Sequence, residues 1–407
     1  MGGMKDTELY EKLLGVEWPW RVKEVQMNVE EQRVRVEIEC VEKVAWAVDG
    51  QRVHVHGWER RQWRHLDSCG FATEIEAEVP RIKYPDGKTE MAAVPWARKG
   101  SRFTKRFEVF AVAVLRVARS VSEACALLEL SWDQAHRIMA LAVEHGLRGR
   151  STEGLARVGL DEKSFLAGQS YVSVLSDLDK GRVLEVVEGA SQESGEALLA
   201  SLPAEQRLGL AAVAMDMSPA FIAAAQAQAP QADIVHDRFH VSQHLNAAVD
   251  KVRRAEHRQL QSEGDDVLSG QRFVFLYSPE NLDRERRASL RQLLAQDLKV
   301  GRAWTLKEHF RHFWERANAQ TALAFFVQWY ARAVRSRLPP IIKVAKMIKK
   351  HLFNLLTYHW HRITNAVTEG LNSRIQALKA NARGFRSFPN FRIRILFFLG
   401  KLDLLHS

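Results

Sequence analysis

Residues 157–239 read RVGLDEKSFLAGQSYVSVLSDLDKGRVLEVVEGASQESGEALLASLPAEQRLGLAAVAMDMSPAFIAAAQAQAPQADIVHDRF. The β-type runs RVGLDEKSF, YVSVLSDL and RVLEVVEG predict three strands, and the turn residues Asp179, Lys180 and Gly181 join the last two as a hairpin. ESGEALLASL then predicts an amphipathic helix, LAAVAMDM a fourth strand, PAFIAAAQAQA another helix and ADIVHDRF a fifth strand. The order β-β-β-α-β-α-β predicts an α+β unit built on a mixed sheet.

Two acids close apolar runs in this stretch, Asp161 in RVGLD and Asp216 in AAVAMD. In a mixed sheet where these strands are neighbours, both carboxylates lie at one end, and a divalent cation with oxygen ligands relieves their repulsion. Either acid alone reads equally as a turn residue or a helix N-cap, and Met217-Ser218-Pro219 suits that alternative.

A third acid stands out downstream. Residues 331–401 contain 15 Lys and Arg but one carboxylate, Glu369. That segment carries +14, whereas the whole chain carries +10, so the remaining residues net −4 (10 minus 14). A positive field localised in this way points to a polyanion, and to nucleic acid first. On a helical wheel Val367, Leu371, Ile375, Leu378 and Ala382 share one face, and Glu369, Asn372, Gln376 and Arg383 the opposite one. Glu369 therefore projects from a polar stripe, as a third metal ligand or as a surface ion-pair partner.

At 407 residues the chain exceeds what one core usually serves, so several domains are expected. Residues 16–95 alternate short β-type runs with turns, which predicts a β-rich N-terminal module. Further on, VSEACALL, a turn at residues 129–131 and WDQAHRIMALAVEHGL have the pattern of a helix-turn-helix, with Ser131 as N-cap of the second helix. That helix offers Asp133, Gln134, His136 and Arg137 to a major groove. Residues 241–358 read as almost wholly helical. The three cysteines are far apart and odd in number, which argues against a disulfide framework and for an intracellular protein. No secretion signal and no membrane span are expected.

The segments GLDEKSF, AMDMSPAF, IVHDRFHVSQHLNAAVDKVRR and TNAVTEGLNSRIQALKANARGFRSFPNFRIRILF, with RQWRHLD, VPWA and SRFTKRFE in the N-terminal half, resemble the transposases of the ISL-three family of bacterial insertion sequences, within the DDE group. The resemblance spans most of the chain. It implies a multidomain α+β protein: an N-terminal β-rich module (1–100), a helix-turn-helix region (101–155), and a ribonuclease H-like core (156–250 and 359–407) interrupted by an all-α insertion (251–358). It makes Asp161, Asp216 and Glu369 the metal-binding triad for Mg2+ (or Mn2+). It adds Asp237 and His240 as the D-x-x-H of DRFH, which otherwise read as a hydrogen-bonded pair at a strand end. Gln134, His136 and Arg137, with Arg374, Lys379, Arg383 and Arg386, are the expected DNA contacts. The implied partners are double-stranded DNA, as terminal inverted repeats and as target, and a second copy of the chain in the DNA complex. The expected location is the cytoplasm, on the nucleoid. Trp329 is the insertion's candidate for stacking on a displaced base, with core packing as its alternative.

Members of that family often carry a zinc-binding module near the N-terminus. Here Lys43 stands where a partner for Cys40 would fall, and Tyr84 and Gly87 replace the second pair. Because those side chains are not zinc ligands, no zinc is expected, although His54, His56, His65 and Cys69 are available for an unrelated site. Two other readings remain open from the residues: a DNA-binding protein without catalysis, and a ribonuclease H-like nuclease or resolvase.

Overall fold

The computed structural model describes residues 5–41, 46–48, 51–84, 87–166, 170–363 and 366–404, without the side chains of 46–48 and 51–54. The described chain forms two compact units, one of residues up to 150 together with 402–404, the other of residues 151–401.

The first unit opens with α1 (Asp6–Leu14), followed by β1 (Trp20–Asn28), β2 (Arg33–Cys40), β3 (Trp46–Val48), β4 (Gln51–Arg64), β5 (Ala72–Lys83) and β6 (Thr89–Met91). They form one sheet of order β1-β2-β5-β4-β3, with β6 paired to β5. Alternation sets its inner face: Val34, Val36, Ile38 and Cys40 on β2 are buried, as are Ile75, Ala77 and Val79 on β5. Trp96 closes the core edge-on to Trp20 and Trp63, with ring centroids 5.1 and 5.6 Å away.

Three helices follow, α2 (Lys105–Val117), α3 (Val121–Leu128) and α4 (Trp132–Arg148). The expected helix-turn-helix is present as α3 and α4. Glu129 turns the chain in the left-handed region (φ 54°), and Ser131 starts α4 with a capping box shared with Gln134. At Gly146 the backbone of α4 lies so near residues 402–404 that an added Cβ would be 2.8 Å from Leu402 Cβ.

The second unit contains β7 (Arg157–Leu166), β8 (Ser170–Asp177), β9 (Arg182–Glu188), α5 (Gln192–Ala200), α6 (Ala204–Leu208), β10 (Ala212–Met215), α7 (Pro219–Gln228) and β11 (Asp233–His236). The sheet order is β11-β10-β7-β8-β9. β7, β8 and β9 are antiparallel, while β10 runs parallel to β7 and β11 parallel to β10. Gly195 lets α5 rest on α7, its Cβ position being 2.8 Å from Ala224 Cβ.

The remaining helices are α8 (Arg238–Ser262), α9 (Arg272–Leu276), α10 (Arg284–Leu294), α11 (Lys299–Arg311), α12 (Ala319–Arg335), α13 (Pro339–Lys350), α14 (Leu352–Leu356), α15 (Tyr358–His361), α16 (Ala366–Asn381) and α17 (Phe388–Leu399). Helices α8 to α14 share one aromatic-rich core around Phe310, Phe313 and Trp329. Trp329 is fully buried and donates its indole N–H to the Leu306 carbonyl at 2.9 Å, so it packs the core and presents no ring to a base. Helix α17 covers β9, where Arg392 grips Glu185 through two hydrogen bonds of 2.7 and 2.6 Å.

β7 spans the expected RVGLDEKSF run and one residue more, so Asp161, which closes the apolar run, lies inside the strand through the pairing with β8. One sequence expectation needs correction. The fifth strand stops at His236 rather than running through DRF, because Asp237 caps α8 and Arg238 already belongs to the helix. Among the described residues, no helix is long and apolar enough to cross a membrane.

Candidate active site and DNA interface

The sheet register brings the acids together. β10 pairs with β7 at Ala214↔Gly159 and with β11 at Met215↔His236. Two residues beyond the first pair lie Asp216 and Asp161, and one residue beyond the second lie Asp216 and Asp237. Extended past its last paired residues, this register sets the three acids at one level on neighbouring chain segments. The apolar parts of these strands fill the core beneath, and Asp161, Asp216 and Asp237 stand where the buried run ends.

Each of these carboxylates is held by local contacts. Asp161 Oδ1 accepts the Glu162 backbone N–H at 2.8 Å, Oδ2 accepts Asn372 Nδ2 at 2.6 Å, and Lys163 Nζ lies 3.0 Å away. Asp216 accepts the Ser218 N–H at 3.0 Å, which turns the chain into α7. Asp237 accepts the Phe239 N–H at 2.7 Å and has His240 Nε2 at 3.6 Å. Charge also gathers here. Burial, followed by the negative charges of Asp216 and Asp161, pushes the Glu162 carboxyl above its ordinary range, against Lys163 and His240. His244, one turn beyond His240, is lowered first by burial and then by His240, while Asp216 raises it.

Glu369 is carried by the first turn of α16. The first turn of α16 lies on β7 at Gly159, where an added Cβ would be 3.6 Å from Thr368 Oγ1. Glu369 is exposed on this turn, and Asn372, three residues on and on the same helical face, reaches Asp161. Among the described residues, no three of His, Cys, Asp and Glu converge closely enough to hold a metal ion.

Several residues of the site were not singled out from the sequence. Glu162 and Lys163 lie beside Asp161 in GLDEKSF, and His244 follows His240 at the i+4 spacing. Asn372 was legible as a member of the Glu369 stripe, but its bond to Asp161 was not, because it joins residues 211 apart in sequence.

The expected DNA contacts are more dispersed. Gln134 is engaged in the capping box, its Oε1 accepting the Ser131 N–H at 2.8 Å. His136 stacks on Trp132 with centroids 5.5 Å apart, and Arg137 donates to the Gly100 carbonyl at 3.2 Å. In the second unit Lys379 donates to the Ser164 carbonyl at 2.9 Å and Arg374 to the Phe398 carbonyl at 3.4 Å. Arg383 and Arg386 are exposed in the loop after α16.

Residues 158–395 match a family model described as a transposase, the DDE domain of the ISL3 family. The chain belongs to the ISL3 family of transposases. Residues 92–143 match the helix-turn-helix domain of transposase family ISL3, so helices α3 and α4 lie in the family's DNA-binding domain. The ISL3 assignment agrees with curated relatives. The transposase for insertion sequence element IS1557 of Mycobacterium tuberculosis is 26% identical, over 94% of this chain and 93% of that protein. The transposase for insertion sequence element IS1001 of Bordetella parapertussis is 25% identical, over 84% and 80% respectively.

A third match overturns an expectation. Residues 49–86 match the zinc-finger of transposase IS204/IS1001/IS1096/IS1165, so the expectation of a chain without zinc is corrected. That expectation rested on Lys43, which lies outside the described residues, and on Tyr84 and Gly87 standing where ligands of the family's zinc module would fall. Within the match, Cys69 is exposed, and buried His65 places Nδ1 2.8 Å from Thr104 Oγ1. The side chain of His54 is outside the described set. Among the described side chains, no three of His, Cys, Asp and Glu come together there as ligands for zinc.

Proposed function

We propose that this ISL3 transposase binds the terminal inverted repeats of its insertion sequence and cuts and joins DNA strands at the acidic end of the β7–β10–β11 sheet. The single observation that carries the reading is the register that sets Asp161, Asp216 and Asp237 at one level, with the Glu369 turn of α16 against β7. The strand order, with three antiparallel strands followed by two parallel ones on the other side of the first, supports a ribonuclease H-like core. The helices of residues 251–358 would be its all-α insertion, between core segments 156–250 and 359–407. Residues 1–100 and 101–155 would form the β-rich and helix-turn-helix domains.

Asp161, Asp216 and Glu369 would hold Mg2+ (or Mn2+), and their hard oxygen donors suit such ions. Bound there, such cations would supply charge to neutralise the scissile phosphate and to lower the pKa of the attacking water or 3′-hydroxyl. Asn372 and Lys163 fix the direction of the Asp161 carboxylate, and the Ser218 N–H fixes that of Asp216. Asp237 anchors the start of α8, so His240 and His244 line the site on Asp216's side. Arg374, Lys379, Arg383 and Arg386 supply positive charge for the phosphates flanking the cut. Each step, hydrolysis at the element end and then attack of the freed 3′-hydroxyl on target DNA, is an in-line displacement at phosphorus without a protein-linked intermediate. Two ends must be held together, which calls for a homodimer in the DNA complex. The working location is the nucleoid in the cytoplasm.

The test is cleavage of a plasmid carrying the DNA that flanks the gene, with Mg2+, by the parent protein, Asp216→Asn and Glu369→Gln. Metal-dependent cutting at the element boundary by the parent, reduced at least a hundredfold in both variants with end binding retained, is the expected result. Binding by the parent without any cutting would favour a non-catalytic DNA-binding protein instead.

A further inference from the structure

From Arg316 to Thr368 the sequence has nine Lys and Arg and no carboxylate. Two large rings are exposed within this cationic stretch, Phe353 on α14 (65% exposed) and Trp360 on α15 (56% exposed). Their centroids lie 6.3 Å apart with planes at 72°, so they form one aromatic surface rather than two unrelated side chains. Exposed Lys346, Lys349 and Lys350 precede it at the end of α13.

The surface has a defined place beside the acids. Helices α14 and α15 cover β11, the edge strand of the sheet. Thr357 donates to the Ile234 carbonyl at 2.8 Å, and His361 Nε2 meets Asp233 at 2.8 Å. His351, just before α14, packs edge-on to His236 at 5.1 Å, and Asn354 lies 3.3 Å from the same ring. Helices α14 and α15 therefore run opposite to β11. Phe353 stands nearer the end that carries Asp237, and Trp360 further back along the strand. Phe239, in the first turn of α8 after Asp237, is exposed as well.

We propose that Phe353 and Trp360 form a stacking platform for unpaired bases of the DNA strand whose phosphate lies at the acids, with Lys346, Lys349 and Lys350 holding its backbone. Exposed rings in a run of cations free of carboxylates match the chemistry of a single strand, which offers apolar base faces and a continuous polyanion. Duplex DNA hides those faces, so the platform distinguishes an opened end from a paired one. The inference rests on the acidic end of the sheet being where DNA is processed, but its test reads binding alone.

The probes are a labelled blunt duplex and the same duplex with a short single-stranded extension, titrated without divalent metal into the full-length protein. The parent binds the extended probe more tightly. The pair Phe353→Ala/Trp360→Ala loses roughly ten- to a hundredfold in affinity for that probe and keeps its affinity for the blunt one, which also shows that it is folded. Trp360→Phe, which retains a ring, keeps most of the preference, and Lys349→Ala/Lys350→Ala weakens both probes alike. A parent indifferent to the extension, or a double alanine variant with the parent's preference, overturns the proposal. So does a double variant whose only change is loss of self-association, which would make the rings a protein interface. A protein that shows the preference but never cuts DNA would sink the catalytic reading and leave the platform standing.

Discussion

His65 shows how one side chain ties stability to pH. It is buried against Thr104, and burial, followed by the charges of Arg106 and Arg64, lowers its pKa to about 4. The unfolded imidazole takes up its proton near its ordinary value of 6.5. The neutral folded ring therefore contributes stability that is fully present above about 6.5 and is lost as pH falls towards about 4. Urea denaturation should show a loss on the order of 2–3 kcal/mol between about pH 7 and about pH 4. His65→Gln should flatten that dependence, and an unchanged slope would show that this ring is not its source. Trp329 and Gln134 show what single residues conceal in a sequence. Their types suggest base stacking and groove contact, but the helical core takes up the whole of one side chain, and a capping box engages the other.

At the scale of elements, the β-β-β-α-β-α-β order was legible, because period-2 runs and turn residues mark each strand and hairpin locally. The end of the fifth strand was not, since β11 stops at His236 because Asp237 serves as the cap of α8. The zinc-finger position was visible in the sequence, but its ligand types led to the expectation of no zinc, which the match of residues 49–86 overturns. The seat of α16 depends on Gly159, whose Cβ position lies 2.9 Å from Ser176 Oγ and 3.0 Å from Leu178 Cδ2. Gly159→Val must displace β8 or α16. It should lower stability by about 1–3 kcal/mol and move Glu369 and Asn372 away from Asp161. Thermal melting and strand cleavage both check this, and a variant with the parent's Tm and cutting would show that the fit is not tight.

Across the whole molecule, charge and chemistry are placed in a consistent way. The segment that carries +14 holds one acid, and that acid lies on the helix whose Asn372 reaches the first aspartate of the sheet. A DNA-processing centre requires few acids amid many cations, because each surplus carboxylate repels the phosphate while each ligating one helps to hold the cation. The charge asymmetry was visible in the sequence from the start. The convergence of β7, β10 and α16 was not, since it depends on contacts more than 200 residues apart. The most direct test of this arrangement is Glu369→Cys, assayed for DNA cutting in Mg2+ and in Mn2+. A thiolate is a poor ligand for hard Mg2+ and a better one for Mn2+. The account predicts that cutting is lost in Mg2+ and partly regained in Mn2+, whereas cutting at the parent's rate in Mg2+ would contradict it by removing Glu369 from the site.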